Sequence, residues 1–165
     1  MSSSGSVSKH ATVRALGAIP IDYRAGRLDQ LVRALEPGGV DRVFDAIGGP
    51  LIGPCIGALR LRGQLVAYGF MAAQGPLAIA AMFANLLLGS RLRGRRGNFY
   101  GITTLYRKTR APFREDLAKI FGLLADKKID PLVTRTFPLL DARQALALLA
   151  AGSVAGKIVL ETPLA

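Results

Sequence analysis

The chain has 165 residues, of which half are hydrophobic and 20% are charged, a composition typical of one globular domain and not of a disordered chain. A single cysteine excludes an internal disulfide, and one cysteine with one distant histidine is a poor basis for a structural zinc site, so we expect a reducing, cytoplasmic setting. The net charge of +11 fits attraction to nucleic acid, to an anionic membrane or to a phosphorylated cofactor. It fits equally well a GC-rich genome, which encodes many arginines without any such partner.

Short apolar segments alternate with helical patterns along the first 70 residues. The sequence predicts a helix over residues 8–16, a strand in AIPIDY, a helix with apolar positions from Leu28 to Leu35, and a buried strand centred on Val43 and Phe44. A helix over residues 51–59, a turn at Arg62-Gly63 and a strand in QLVAYGF follow. Such alternation with short connections is typical of βαβ units and a parallel sheet.

The most apolar stretch of the chain opens the second half. This stretch, LAIAAMFANLLLG at residues 77–89, is shorter than a bilayer span, so we expect a buried or interface helix. Because the basic stretch RLRGRRG follows it, a helix that lies on an anionic membrane surface remains an alternative. Beyond it the sequence predicts a strand in NFYGITTLY, an amphipathic helix over residues 113–124, a strand in PLVTRTFPL, a helix in ARQALALLAAG with Asp141 as its N-cap, and a strand in GKIVLE.

The order of these segments resembles the medium-chain dehydrogenase/reductase superfamily, and most closely its zinc-free NADPH:quinone-oxidoreductase-like branch. The segments are GSVSKHATVRALGAIPIDYR, VDRVFDAIGGP, LRLRGQLVAYGF, NFYGITTLYRK and the stretch from FREDLAK to GKIVLE. The resemblance implies an α/β fold with a partial Rossmann domain, a parallel sheet with flanking helices, over residues 1–128. Residues 129–165 then resemble the C-terminal strands that return to a GroES-like catalytic domain.

Within that family the chain resembles a C-terminal fragment. It would lack the first Rossmann strand with its glycine-rich turn, since no G-x-G-x-x-G occurs, and most of the second strand, so that SSSGSVSKH is the loop that follows. Because the first strand lies in the middle of the family order 3-2-1-4-5-6, the IPIDY strand is not expected to pair with the RVFDA strand. Their exposed edges would need a missing N-terminal half, a homo-oligomer partner or a rearranged sheet.

The resemblance also implies which residues contact a cofactor. Gly5 and Ser6 end the second strand beside the adenosine ribose, and Lys9 and Tyr23 correspond to residues beside the 2′-phosphate of NADP(H). An ammonium and hydroxyls suit that phosphate, and no Asp or Glu precedes Asp22. The other implied positions lie in two turns and one late segment: Gly48, Gly49, Gly69, Phe70, Gly156 and Lys157. From the residues alone, each position also fits an ordinary solvated side chain or tight turn.

No catalytic acid or base is assigned from the sequence. We expect His10 on a helix surface, Asp45 in a turn and Cys55 as a buried, inert thiol. The resemblance implies an NADPH-dependent oxidoreductase that transfers a hydride to a quinone or an activated alkene or carbonyl, with this chain as its cofactor-side fragment, inactive alone. The alternative is a basic module that binds nucleic acid or an anionic membrane through residues 91–96, although no recognised nucleic-acid motif is present.

Overall fold

The computed structural model of the protein describes residues 1–152 and 154–162, in which strands and helices alternate. The strands are β1 (Ser2–Gly5), β2 (Ile19–Asp22), β3 (Val40–Asp45), β4 (Leu59–Ala67), β5 (Arg96–Phe99), β6 (Val133–Pro138) and β7 (Lys157–Glu161). The helices are α1 (His10–Ala15), α2 (Leu28–Leu35), α3 (Ile52–Ala58), α4 (Pro76–Ala84), α5 (Ser90–Leu92), α6 (Ile102–Lys108), α7 (Ala111–Ala125) and α8 (Ala142–Ala150).

All the described strand pairs are parallel, and they form three separate sheets. β1 pairs with β2, β4 lies between β3 and β5, and β6 pairs with β7. The expectation that the IPIDY and RVFDA strands do not pair is confirmed, because β2 pairs with β1 and β3 pairs with β4. The α/β class and the parallel pairing expected from the sequence are therefore present.

Two strand boundaries differ from the sequence expectation. Ser2–Gly5, expected in a loop, forms β1, because β2 supplies backbone partners for it. The NFYGITTLY stretch is a strand only as far as Phe99, and helix α6 follows at Ile102. The strand ends there because its partner β4 ends at Ala67, which pairs with Phe99.

The turn expected at Arg62-Gly63 lies inside β4 as an irregularity. Val40 pairs with Leu59 and Arg42 pairs with Gln64, so five residue steps of β4 lie opposite two residue steps of β3. Arg62 has a φ of +61°, and its N–H donates to the Gly94 carbonyl at 2.8 Å. A contact from a distant loop thus stabilises a conformation that an arginine rarely adopts.

The main core lies between the central sheet and helices α3 and α4. Its fully buried large side chains are Ile52, Ile56, Leu59, Leu65 and Leu86. Phe44 does not join them, contrary to the expected buried strand, and is 65% exposed. Its neighbour Val43 packs against the core, and successive side chains of a strand point to opposite faces.

The apolar stretch of residues 77–89 forms α4 and a π-helical turn, Asn85–Gly89, that runs directly into α5. Met82, Leu86 and Ser90 face the core and are buried. Among the described helices, none combines the length and the apolar character that crossing a membrane requires.

Helix α8 covers the sheet formed by β6 and β7. Phe137, Ala145 and Val154 are its buried apolar side chains. Asp141 occupies the N-cap position of α8 as expected, but its carboxylate accepts a hydrogen bond from Gln144 Nε2 at 3.1 Å and none from the helix backbone.

The buried Cys55 thiol leads to a test of the core by pH. Burial, and to a smaller extent the Asp45 carboxylate, raises the pKa of Cys55 to about 12. An unfolded thiol has a pKa of about 8.5, so above that pH the unfolded state loses a proton that the folded state keeps, and stability falls. From pH 8 to pH 10 we expect the wild type to lose about 2 kcal/mol more unfolding free energy than Cys55→Ala, measured by urea denaturation. Parallel losses in the two proteins would show that the folded thiol ionises normally.

Candidate functional site

The carboxyl ends of β1 and β2 lie side by side and begin two polar loops. The strand register sets Gly5 opposite Asp22, so that Ser6 and Tyr23 follow neighbouring strands. The Asp22 carboxylate accepts the Arg24 N–H at 3.0 Å, and the Arg24 guanidinium lies 5.6 Å from the centre of the Tyr23 ring. Asp22 is thus tied to its own turn, while the Arg24 cation and the half-exposed Tyr23 lie at the strand ends.

A 3-10 turn over Val7–Lys9 places Lys9 close to this edge. The Lys9 N–H donates to the Ser6 carbonyl at 2.9 Å, and the Ser6 and Ser8 hydroxyls are 3.0 Å apart. Four of the predicted site residues, Gly5, Ser6, Lys9 and Tyr23, therefore belong to two adjacent loops. An ammonium and two hydroxyls follow β1, and no carboxylate follows that strand before β2.

His10 differs from its expected position on a helix surface. It is half-buried, and its Nε2 is shielded from solvent with no hydrogen-bond partner among the described residues. It begins α1, directly after Lys9.

A largely apolar cleft of about 540 Å³ opens beside the two loops. Its wall runs from the end of β1, through the loop that follows β2, to the segment that follows β3. The lining residues are Ser4, Tyr23, Gly26, Arg27, Leu28, Ile47, Leu51 and Pro54. Arg27 pairs with Asp29 at 3.0 Å, and this hydrogen bond lowers the pKa of Asp29.

Sequence reasoning missed most residues of this cleft. Of its lining, only Tyr23 was a candidate, because the other residues match no motif. The position of these residues in the chain could have identified them. Arg27 and Ile47 each follow the carboxyl end of a parallel strand, and ligands of α/β sheets bind at such ends.

The loops that follow β3 and β4 are in contact at the same edge of the central sheet. Asp45, expected in a turn, is the last residue of β3, and its buried carboxylate accepts the N–H groups of Ile47 at 2.8 Å and Gly48 at 3.0 Å in the turn that follows. Gly48 has a φ of +67°, and a Cβ on it would lie 2.7 Å from the Gly69 carbonyl oxygen. Only a glycine lets the two loops approach this closely.

Two further predicted residues extend this loop contact. Gly49 abuts the Ala72 backbone, and the Phe70 ring lies 6.1 Å from that of Phe99 at the end of β5. The structure therefore brings Gly48, Gly49, Gly69 and Phe70 together at the carboxyl ends of β3, β4 and β5.

Gly156 and Lys157 have a local structural explanation in the third sheet. The Lys157 N–H donates to the Leu132 carbonyl at 2.8 Å, at the start of β7. A Cβ on Gly156 would collide with that same carbonyl oxygen. The close approach of two backbones accounts for this glycine, and nothing in the geometry links the pair to the other candidates.

A metal ion in a protein requires several His, Cys, Asp or Glu side chains close together. No group of three or more His, Cys, Asp or Glu side chains in residues 1–152 and 154–162 is arranged to hold one. The Cys55 thiol lies in the core and has a raised pKa of about 12.

Comparison with known proteins identifies the family of the chain. A family model described as zinc-binding dehydrogenase matches residues 16–160. Prostaglandin reductase-3 of Bos taurus is 30% identical over 90 residues, which are 53% of this chain and 24% of that protein.

Two solved structures show the same fold. The JamJ enoyl reductase, in its apo form, has a TM-score of 0.77 at 19% identity and matches 98% of this chain and 47% of its own. A mycobacterial protein solved in complex with NADPH has a TM-score of 0.72 at 23% identity and matches 95% and 48%. The chain thus spans less than half the length of each of these three proteins.

The contact between the two loops is testable with a pair of glycine substitutions. Gly48→Ala places a Cβ against the Gly69 carbonyl in a backbone conformation that other residues avoid, so we expect a loss of about 2–4 kcal/mol in unfolding free energy. Gly122→Ala lies in α7 with open space around it and should stabilise by about 0.5–1 kcal/mol. Urea denaturation measures both, and equal effects would contradict the close approach.

Proposed function

The chain belongs to the zinc-binding dehydrogenase family, as its resemblance to medium-chain dehydrogenase/reductases implied, and we propose that it is the cofactor-side half of an NADP(H)-dependent quinone or enone reductase. The observation that carries the proposal is that Ser6, Lys9, Tyr23 and Arg24 all belong to the loops that follow the paired strands β1 and β2. A prostaglandin reductase and an enoyl reductase among the similar proteins, and the NADPH in a structural neighbour, support the choice of chemistry.

The chemistry of the two loops fits a nucleotide that carries a 2′-phosphate. The Lys9 ammonium and the Arg24 guanidinium supply charge-assisted hydrogen bonds, and the Ser6 and Ser8 hydroxyls supply neutral ones. A carboxylate that follows this strand would prefer a free 2′-hydroxyl, and here Asp22 is already engaged by the Arg24 N–H. The adjoining apolar cleft suits a flat adenine ring.

The loops after β3 and β4 would hold the other end of the dinucleotide. Bound NADPH supplies a hydride that a quinone or an activated alkene accepts. The contribution of this chain is to bind and orient: Gly48 and Gly69 let the two loops pack against each other at the edge where the ligand would lie, and the half-exposed Phe70 ring would exclude water from one side. Gly49, Gly156 and Lys157 remain further candidates for this role.

We propose that the reaction also needs a further strand, which would pair with the free edges of β1 and β3. The outer edges of β1 and β3 have no strand partner among the described residues. Unpaired edges of this kind expose backbone N–H and C=O groups, which a strand from another part of the protein, or from a second copy, would satisfy. Catalysis by this chain alone is therefore not expected.

The donor set gives no support to a zinc ion bound by this chain. The sequence has one thiol and one imidazole, and the structure buries Cys55 in the core while His10 lies at the start of α1. Zinc in proteins is held by three or four thiolate, imidazole or carboxylate ligands, and no three such side chains among the described residues are arranged to hold an ion. The residues of this chain therefore do not fit a zinc ion.

The nucleotide site is tested with the half of the cofactor that this chain is proposed to hold. We expect 2′,5′-ADP to bind more tightly than 5′-AMP, by at least tenfold, because the 2′-phosphate meets Lys9 and Arg24. Lys9→Gln should weaken 2′,5′-ADP binding by about tenfold and leave 5′-AMP unchanged. Isothermal titration calorimetry at millimolar ligand measures both.

A matched control is Lys119→Gln, which removes an exposed lysine of α7, far along the chain from the site. It should bind both nucleotides as the wild type does. Equal affinity of the wild type for the two nucleotides would contradict the 2′-phosphate assignment. An equal effect of both lysine variants would show that the net charge of the chain, and not the position of Lys9, determines the affinity.

A further inference from the structure

The amino edge of the central sheet carries an unbalanced positive charge. At this edge the carboxyl ends of α2, α3 and α5 lead into β3, β4 and β5, through residues 33–42, 57–63 and 91–96. These three segments, here called the arginine edge, contain eight arginines against two acidic residues, Glu36 and Asp41. They therefore supply more than half of the net charge of +11. The proposed nucleotide site lies in other loops and does not account for this charge.

Three of these arginines are held in place by backbone carbonyl groups. Arg33 Nη2 donates to the Leu59 carbonyl at 3.1 Å, and Arg95 Nε donates to the same oxygen at 2.9 Å. Arg93 Nη1 donates to the Gly89 carbonyl at 3.0 Å. Among the described residues, no carboxylate forms an ion pair with any of the three guanidinium groups. Burial, and then the charges of Arg33 and Arg93, lower the pKa of Arg95, as expected where cations lie side by side.

Arg62 adds a further cation at a position where the backbone favours a glycine. Its φ of +61° is a conformation that glycine adopts readily and that costs an arginine free energy. Its N–H donates to the Gly94 carbonyl at 2.8 Å, and a glycine at the same position would make the same bond. The side chain itself is exposed. Since the fold does not need this side chain, the strain points to a function of the guanidinium group.

An apolar side chain stands among these cations. Leu61 is 73% exposed and lies between Arg60 and Arg62 in the chain. Its Cδ2 lies close to the Cα of Gly94, in the loop that carries the other arginines. Arg60 forms an ion pair with the Asp41 carboxylate, so its charge is balanced. The arginine edge thus presents one exposed leucine with unbalanced guanidinium groups beside it.

We propose that the arginine edge binds an acidic segment of a partner protein. Carboxylates of the partner would meet the guanidinium groups of Arg62, Arg93 and Arg95, and an apolar side chain of the partner would cover Leu61. A guanidinium group recognises a carboxylate through two parallel hydrogen bonds. Because carbonyl groups already hold Arg93 and Arg95, these side chains would lose less conformational freedom on binding than mobile ones.

Polarity and position favour an acidic protein over other occupants. Proteins hold single-stranded nucleic acids by stacking bases on aromatic side chains, and the three segments contain no aromatic residue. One exposed leucine offers little apolar area for insertion into a membrane. The further strand proposed beside β1 and β3 leaves the β4 and β5 side of this edge accessible, because β4 separates β3 from β5.

The test is fluorescence anisotropy of short labelled peptides with the full chain. We expect a peptide of Glu and Leu to bind at least tenfold more tightly than the same peptide with Gln in place of Glu, and to bind more weakly as salt is raised. A peptide with Ser in place of Leu should bind about fivefold more weakly. Arg62→Gln with Arg93→Gln should weaken binding of the Glu and Leu peptide by about tenfold or more.

The control variants make the same changes outside the arginine edge. Arg14→Gln with Arg143→Gln lowers the net charge equally by removing two exposed arginines of α1 and α8, and should leave peptide binding unchanged. Leu61→Ser should weaken binding by about fivefold, whereas Leu146→Ser, an exposed leucine of α8, should not. Circular dichroism checks that every variant is folded.

Arg62→Gly separates binding from stability at a single position. It removes the cation and the backbone strain together, so Tm should stay unchanged or rise by up to about 3 °C. Peptide binding should nevertheless weaken by about three- to fivefold. A lowered Tm would show that the Arg62 side chain supports the fold, and would contradict its assignment to a partner.

Three further results would overturn the proposal. The first is equal binding of the Glu and Gln peptides. The second is an equal loss of binding in the two double arginine variants, which would indicate the net charge of the chain. The third is tighter binding of poly-U RNA or of phosphatidylserine vesicles than of the Glu and Leu peptide, lost in Arg62→Gln with Arg93→Gln. That variant should bind 2′,5′-ADP like the wild type, so the nucleotide site is tested separately.

Discussion

Parallel pairing of the strands is the constraint on which the rest of the structure depends. Because β1 and β2 run in the same direction, the loops that follow them leave the sheet side by side, and Gly5 stands opposite Asp22. The same holds for β3, β4 and β5, whose carboxyl ends carry the turns at Gly48, Gly69 and Tyr100. Residues up to 50 positions apart in the chain therefore meet at one edge, where ligands of α/β sheets bind.

The parts of the fold that depend on local sequence were predictable. The apolar residues between Leu28 and Leu35 recur at helical spacing, and EPGG follows them. Helix α2 occupies Leu28–Leu35, as this pattern predicts. Gly17, expected to end the first helix, has a φ of +78°. Spacing and glycine position are properties of a few neighbouring residues, and they are visible in a single sequence.

The parts that depend on distant contacts were not predictable. Arg62 adopts a positive φ inside β4, where the Gly94 carbonyl accepts its N–H. β5 ends at Phe99, although β-branched residues follow, because β4 offers no partner beyond Ala67. The candidate site also has predictable and unpredictable parts. The individual glycines could be identified in the sequence. The contact of Gly48 with Gly69 and the apolar cleft depend on residues distant in the chain and could be identified only in the structure.

The arginines of residues 91–96 and the turns of the candidate site lie at opposite edges of the central sheet. Arg96 begins β5 and Leu59 begins β4, so the arginines lie at the amino edge of the central sheet. The turns at Gly48 and Gly69 lie at its carboxyl edge, where β3 and β4 end. Arg96 pairs with Gln64 and Phe99 pairs with Ala67, so the paired part of β4 and β5 extends over three residue steps, about 10 Å, between the two edges. A cofactor held at the carboxyl edge would therefore not contact these arginines, and the charge of its phosphate would instead be met by Lys9 and Arg24 in the loops that follow β1 and β2.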